Sequence, residues 1–91
     1  MNKSELIKTL AEQKDMHIDD AAVVVNTFFD SIKDSLKHEE RVEIRGFGSF
    51  KLKDYGGYTG RNPKTGDIVD VNPKKLPFFR PGKELKEYVN D

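Results

Sequence analysis

A chain of 91 residues that is 35% hydrophobic and 35% charged makes one small domain with a lean core, for which marginal stability or oligomerisation is expected. The absence of cysteine excludes disulfides, thiolate metal sites and thiol catalysis, and the polar start with no long apolar run points to a soluble, intracellular protein. The formal net charge of +0 conceals a split: residues 1–40 carry five Lys and nine Asp/Glu, a net of −4, whereas residues 41–91 carry eleven Lys/Arg and seven Asp/Glu, a net of +4. Between Arg41 and Lys83, ten cations meet four anions, which marks a basic binding face despite the neutral total.

Asn2, followed three residues later by Glu5, fits a reciprocal N-terminal cap. Leu6, Ile7, Leu10 and Ala11 then form one stripe of a short helix that should stop near Lys14. A second helix is expected from Asp19, whose carboxylate suits the positive end of the helix dipole. Val25, Phe28, Phe29, Ile32 and Leu36 keep a helical period, which outweighs the low helix propensity of three consecutive valines. Asp30, Lys33, Asp34 and Lys37 belong to the solvated side.

The periodicity then changes to two. Arg41-Val42-Glu43-Ile44-Arg45 and Ser49-Phe50-Lys51-Leu52-Lys53 alternate as half-buried strands around a turn at Gly46-Phe47-Gly48. The hairpin has one apolar face (Val42, Ile44, Phe50, Leu52) and one basic face (Arg41, Arg45, Lys51, Lys53). Gly60 to Asp67 holds two glycines, Asn62-Pro63 and two cations but no apolar side chain, so it must project as a hairpin tip with Gly66 at positive φ. Lys51 to Tyr55 before it and Ile68 to Val71 after it are expected to pair as the strands of an extended arm. Lys74 to Arg80 returns as a short strand, with Pro77 suggesting an edge position. Leu85, Tyr88 and Val89 mark a short terminal helix. The order is α-α-β-β-(arm)-β-α, an α+β fold. An open three-stranded sheet with an apolar face, in a chain with six phenylalanines, is most simply covered in a symmetric dimer.

Catalytic patterns are missing. His17 and His38 lie in polar connections without a nucleophile or carboxylate constellation. Gly46-x-Gly48 lacks the third glycine and following helix of a dinucleotide loop, and Gly60 to Gly66 lacks the Gly-Lys-Ser/Thr of a phosphate loop. Asn2-Lys3-Ser4 has the spacing of a glycosylation acceptor, but nothing directs the chain to secretion. No enzyme activity and no cofactor are expected.

The cations have a more coherent use. An arm carrying Lys51, Lys53, Arg61 and Lys64 can follow a phosphate-lined groove, releasing a counterion at each contact. Pro63 at the tip either stiffens the turn or wedges between base pairs, kinking the duplex. An arm that embraces another protein is the alternative.

Arg45-Gly46-Phe47-Gly48-Ser49-Phe50, Thr59-Gly60-Arg61-Asn62-Pro63-Lys64-Thr65-Gly66 and Phe79-Arg80-Pro81-Gly82-Lys83-Glu84-Leu85-Lys86 resemble the signature blocks of the bacterial HU/integration host factor family. The resemblance covers essentially the whole chain. HU and integration host factor are themselves among the proteins that define minor-groove bending. It implies a single domain over residues 1–91 in an intertwined dimer, homodimeric or heterodimeric with a related subunit. Residues 1–40 would be the helical dimerisation part, 41–81 the three-stranded antiparallel sheet and β-arm with its tip at 60–67, and 82–91 the C-terminal helix. The partner would be double-stranded DNA, in a cytoplasmic, nucleoid-associated protein that needs no cofactor or metal.

On this resemblance Pro63 takes the intercalating position, flanked by Arg61, Asn62 and Lys64. Arg45, Lys51, Lys53, Lys74, Lys75, Arg80, Lys83 and Lys86 complete the expected DNA contacts. Phe28, Phe29, Ile32, Ile44, Phe47, Phe50 and Phe79 are the expected dimer core. Glu43 to Phe50 is more similar to the beta subunit of integration host factor than to typical HU. In the integration host factor branch Arg45 would help to read minor-groove sequence or shape, the alternative being that Glu43 and Arg45 are simply a same-face pair. The chain departs from the family at Asp54-Tyr55-Gly56-Gly57-Tyr58 and in the acids Asp67 and Asp70, which would suit weaker nonspecific binding, greater dependence on pre-bent DNA or a more basic partner subunit. Tyr55 and Tyr58 are read as ordinary strand packing.

Overall fold

Asn2 opens the first helix in the computed structural model, which describes residues 1–91 except for the side chains of Tyr58, Val69 and Val71. Its side-chain oxygen accepts the Glu5 backbone N–H at 2.9 Å, and helix α1 runs Lys3–Gln13. The expected return bond from the Glu5 carboxylate is absent among the described residues; the Ser4 hydroxyl donates to the Asn2 oxygen instead. Helix α1 ends with Asp15 at φ 50 and the Met16 N–H donated to the Ala11 carbonyl at 2.9 Å. That is a Schellman stop with aspartate where glycine is usual.

Helix α2 spans Ile18–Lys37, and its cap corrects the expectation. His17 rather than Asp19 is the capping residue: its Nδ1 accepts the Asp19 N–H at 3.2 Å. Asp19 lies inside the first turn, where its charge still complements the dipole. Ala21, Val25 and Leu36 are buried on one stripe, with Ile32 half-buried between them. Lys3 Nζ donates to Asn26 Oδ1 at 2.9 Å and ties α1 to α2.

Met1–His38 forms one compact unit and Glu39–Asp91 a second. The second begins with strands β1 (Val42–Ile44) and β2 (Gly48–Tyr55). Between them the Phe47 N–H donates to the Ile44 carbonyl at 3.0 Å, with Gly46 at φ +85 supplying the left-handed residue of the turn. Strand β3 is Tyr58–Arg61, β4 is Ile68–Val71, β5 is Lys74–Pro81, and helix α3 is Lys83–Val89.

The three-stranded sheet has the order β1-β2-β5, wholly antiparallel, with β5 on an edge as Pro77 suggested. β3 pairs with β4 in a separate ribbon. The arm pairing therefore differs from the sequence expectation. Ile68 to Val71 pairs with Tyr58 to Arg61, whereas Lys51 to Tyr55 lies within the sheet against Lys74 to Phe78. Gly56-Gly57 faces Asn72-Pro73 in the interruption. Two residues are passed on each strand, so the register from Tyr55↔Lys74 to Tyr58↔Val71 is preserved.

Alternation sorts the sheet into two faces. One carries Val42, Phe50 and Phe79 in a row, with Phe79 centred 4.8 Å from Phe50 and 5.5 Å from Phe47. Gly48 is required there, because a Cβ would lie 2.6 Å from both the Arg80 carbonyl oxygen and the Phe79 ring. Among the described residues only Ala21, Val25 and Leu36 are buried apolar side chains. Of the expected dimer-core residues, Phe28 and Phe29 are 43% exposed and Phe47 is 46% exposed, while Ile32, Ile44, Phe50 and Phe79 are half-buried. One chain does not bury these side chains by itself.

Candidate nucleic-acid interface

The tip is closed by four hydrogen bonds around Pro63. The Asn62 N–H donates to the Asp67 carbonyl at 2.7 Å, and the Gly66 N–H donates to the Asn62 carbonyl at 2.7 Å. The Asn62 side-chain oxygen accepts the Lys64 N–H at 2.9 Å, and Thr65 Oγ1 accepts the Asp67 N–H at 3.3 Å. Gly66 sits at φ +78, as the turn requires. The sequence folds locally in this way because Asn and Thr satisfy backbone donors two residues on, and Pro restricts the chain between them. The product is a braced tip with Pro63, Lys64 and Arg61 exposed and Asn62 half-buried.

Behind the tip, the Thr59 hydroxyl donates to the Asp70 carboxylate at 3.1 Å, directly across the ribbon. Asp70 is thereby engaged within the arm. Tyr55 is exposed, whereas the Tyr58 side chain lies outside the described residues.

At the root of the arm, Lys51, Lys53 and Tyr55 of β2 share a face with Lys74, Leu76, Phe78 and Arg80 of β5. This face is more mixed than the hairpin alone implied, since β5 inserts Leu76 and Phe78 among the cations. Lys53 Nζ lies 3.7 Å from the Phe78 ring centroid. Lys75 stands apart from the other expected contacts. It faces Asp54 on the opposite side of the sheet and forms an ion pair with Glu39.

A third basic feature lies where the β1–β2 turn meets the end of β5. The Gly82 N–H donates to the Phe47 carbonyl at 2.8 Å and joins these segments. Arg41, Arg45, Arg80, Lys83 and Lys86 line a cleft of about 420 Å³ there, with Glu43 as the carboxylate among its lining residues. Arg41 is the addition: alternation had placed it on the basic face, but only the fold brings it beside Arg80 and Lys86. Its guanidinium is 3.8 Å from Glu43, and Lys83 is 3.9 Å from Glu87. Among the described residues, Arg45, Lys51, Lys53, Arg61, Lys64, Lys74, Arg80 and Lys86 have no ion-pair partner. Such cations can take an anion without first breaking an internal pair.

The arrangement offers positive charge at three levels, with a stiff apolar ring at its outer end and no clustered metal ligands among the described residues. Comparison with known proteins gives the same direction. A family model described as bacterial DNA-binding protein matches residues 1–90. The chain is 47% identical to the integration host factor beta subunit of Marinobacter nauticus, covering 100% of this chain and 94% of that protein. It is 40% identical to the DNA-binding protein HU 1 of Bacillus subtilis, over 98% of this chain and 97% of that one. Among solved structures, an Anabaena HU–DNA cocrystal structure superposes with a TM-score of 0.87 at 31% identity, covering 98% of this chain and 97% of that one. HU from Thermotoga maritima gives a TM-score of 0.70 at 31% identity, with 98% of each chain covered. Full-length matches to both branches, together with the shared fold, place this chain in the HU/integration host factor family of bacterial DNA-binding proteins.

Proposed function

We propose that this chain is an architectural protein that bends duplex DNA through the minor groove and acts without catalysis or cofactor. The observation that carries the reading is the braced tip: Pro63 stands exposed at the end of a hairpin, between the unpaired cations Arg61 and Lys64. Inserting an apolar wedge costs a few kcal/mol of unstacking, offset by the additional phosphates that a bent duplex brings to the protein. The open cations at the arm root and in the cleft supply those contacts. Glu39 engages Lys75, which serves to anchor the arm root more than to grip DNA.

The functional unit is a dimer, either of this chain or with a related subunit. Its core is completed by Phe28, Phe29 and Phe47, which one chain leaves open, together with Ile32, Ile44, Phe50 and Phe79. Residues 1–91 act as one DNA-binding domain, cytoplasmic and associated with the nucleoid. No helix among the described residues is long and apolar enough to cross a membrane. The family membership disfavours a module whose arm embraces a protein.

Titration of the purified chain with a random-sequence duplex at low salt, with the mass determined before and after, tests this reading. Binding as a dimer, weakening steeply with salt, is expected. Indifference to DNA would reject it.

A further inference from the structure

We infer that Phe78 is a positioning residue for DNA binding, its ring holding the Lys53 ammonium in place on the cationic face of the sheet. The inference rests on the DNA-binding reading above and adds to it a residue that no signature block contains. In the antiparallel register Phe78 lies directly opposite Lys51, and Lys53 opposite Leu76. The ring nevertheless takes the diagonal lysine, with Lys53 Nζ 3.7 Å from its centroid. Diagonal cross-strand neighbours are within reach of long and aromatic side chains, and the negative face of the ring attracts the cation.

The two lysines of this face therefore differ. Lys51 is exposed, whereas Lys53 is half-buried, and neither has a carboxylate partner among the described residues. A free lysine must give up the freedom of its four-carbon stem when it meets a phosphate. Lys53 has lost much of that freedom already, so its contact is pre-organised. An ammonium resting on a ring still presents N–H donors outward. A phosphate oxygen can accept from them while the ring contact persists. The exposed apolar parts of Leu76 and Tyr55 lie on the same face, so the held cation faces the duplex from a partly apolar surround.

The test is binding to one random-sequence duplex across a salt series for the wild type, Lys53→Gln, Phe78→Leu, Phe78→Tyr and the Lys53→Gln/Phe78→Leu double variant. Phe78→Leu is expected to weaken binding about three- to fivefold with the salt slope unchanged, because the number of phosphate-neutralising cations is the same. Phe78→Tyr, which keeps the ring, should restore wild-type affinity. Lys53→Gln should flatten the slope by about 0.9, and Phe78→Leu should add nothing in that background. Equal weakening by Phe78→Leu in both backgrounds would overturn the inference, since a merely structural role acts without Lys53. A tyrosine variant as weak as the leucine variant would also overturn it. A wild type that fails to bind rejects the function itself, whereas a binding wild type with additive variants rejects only the role of Phe78.

Discussion

The Asn62 side chain and the Lys64 backbone are bonded across Pro63, with Asn62 Oδ1 accepting the Lys64 N–H at 2.9 Å. This bond holds the ring of the proline between two fixed points. Asn62→Ala should raise hydrogen exchange at Lys64 about fivefold, the equivalent of the ~1 kcal/mol net worth of one such bond. Exchange within β2 should stay as it is, because the ribbon lies beyond the interruption at Gly56-Gly57. Measurement of both amides in the same sample checks the locality of the effect.

Gly48 tests the packing at the base of the sheet. A methyl group at this position would meet the Arg80 carbonyl and the Phe79 ring at 2.6 Å, and the carbonyl is held in the backbone of β5, paired with β2. Gly48→Ala should destabilise the protein by about 1–3 kcal/mol. In a chain of this size each 1 kcal/mol lowers the melting temperature by about 4–8 °C. Thermal unfolding at one fixed protein concentration measures it, since a dimer melts in a concentration-dependent way.

Asp15 tests a strained helix end. It adopts φ 50 in a Schellman stop, a conformation that glycine enters at less cost. Asp15→Gly should stabilise the protein by about 0.5–1 kcal/mol even though the unfolded chain becomes more flexible. A chemical-denaturation midpoint above the wild-type value is the expected readout.

These sites differ in how far the sequence disclosed them. The Asn2 cap, the period-3.6 stripe of α2 and the need for positive φ at Gly66 are local properties, and each was legible. The His17 cap was not, because an imidazole acceptor is an uncommon cap and Asp19 offers a conventional carboxylate two residues further on, inside the first turn. The register of β5 on β2 was hidden for a different reason. The two strands are joined through the whole arm, and a slip of one residue would exchange their faces. Until Lys51 is aligned with Phe78, nothing shows that Phe78 joins the cations or that Lys75 leaves them. The cleft was half legible: Arg45, Arg80, Lys83 and Lys86 come from the family blocks, whereas Arg41 reaches them only through the fold.

The separation of Lys75 from the other cations has a measurable consequence. Arg61→Gln should flatten the slope of log K against log salt by about 0.9, the loss of one phosphate contact. Lys75→Gln should leave that slope close to the wild-type value, because Lys75 is already paired with Glu39 on the opposite face. Equal slopes for the two variants would contradict the assignment of faces.

The central claim is that Pro63 is a wedge, and DNA bending measures it most directly. Fluorescence transfer between dyes at the two ends of a short duplex, at saturating protein, should rise strongly with the wild type and much less with Pro63→Ala. Binding by the variant should persist through Arg61, Lys64 and the cations of the arm root, so saturation can be reached for both. Wild-type transfer from a Pro63→Ala complex at saturation would contradict the account.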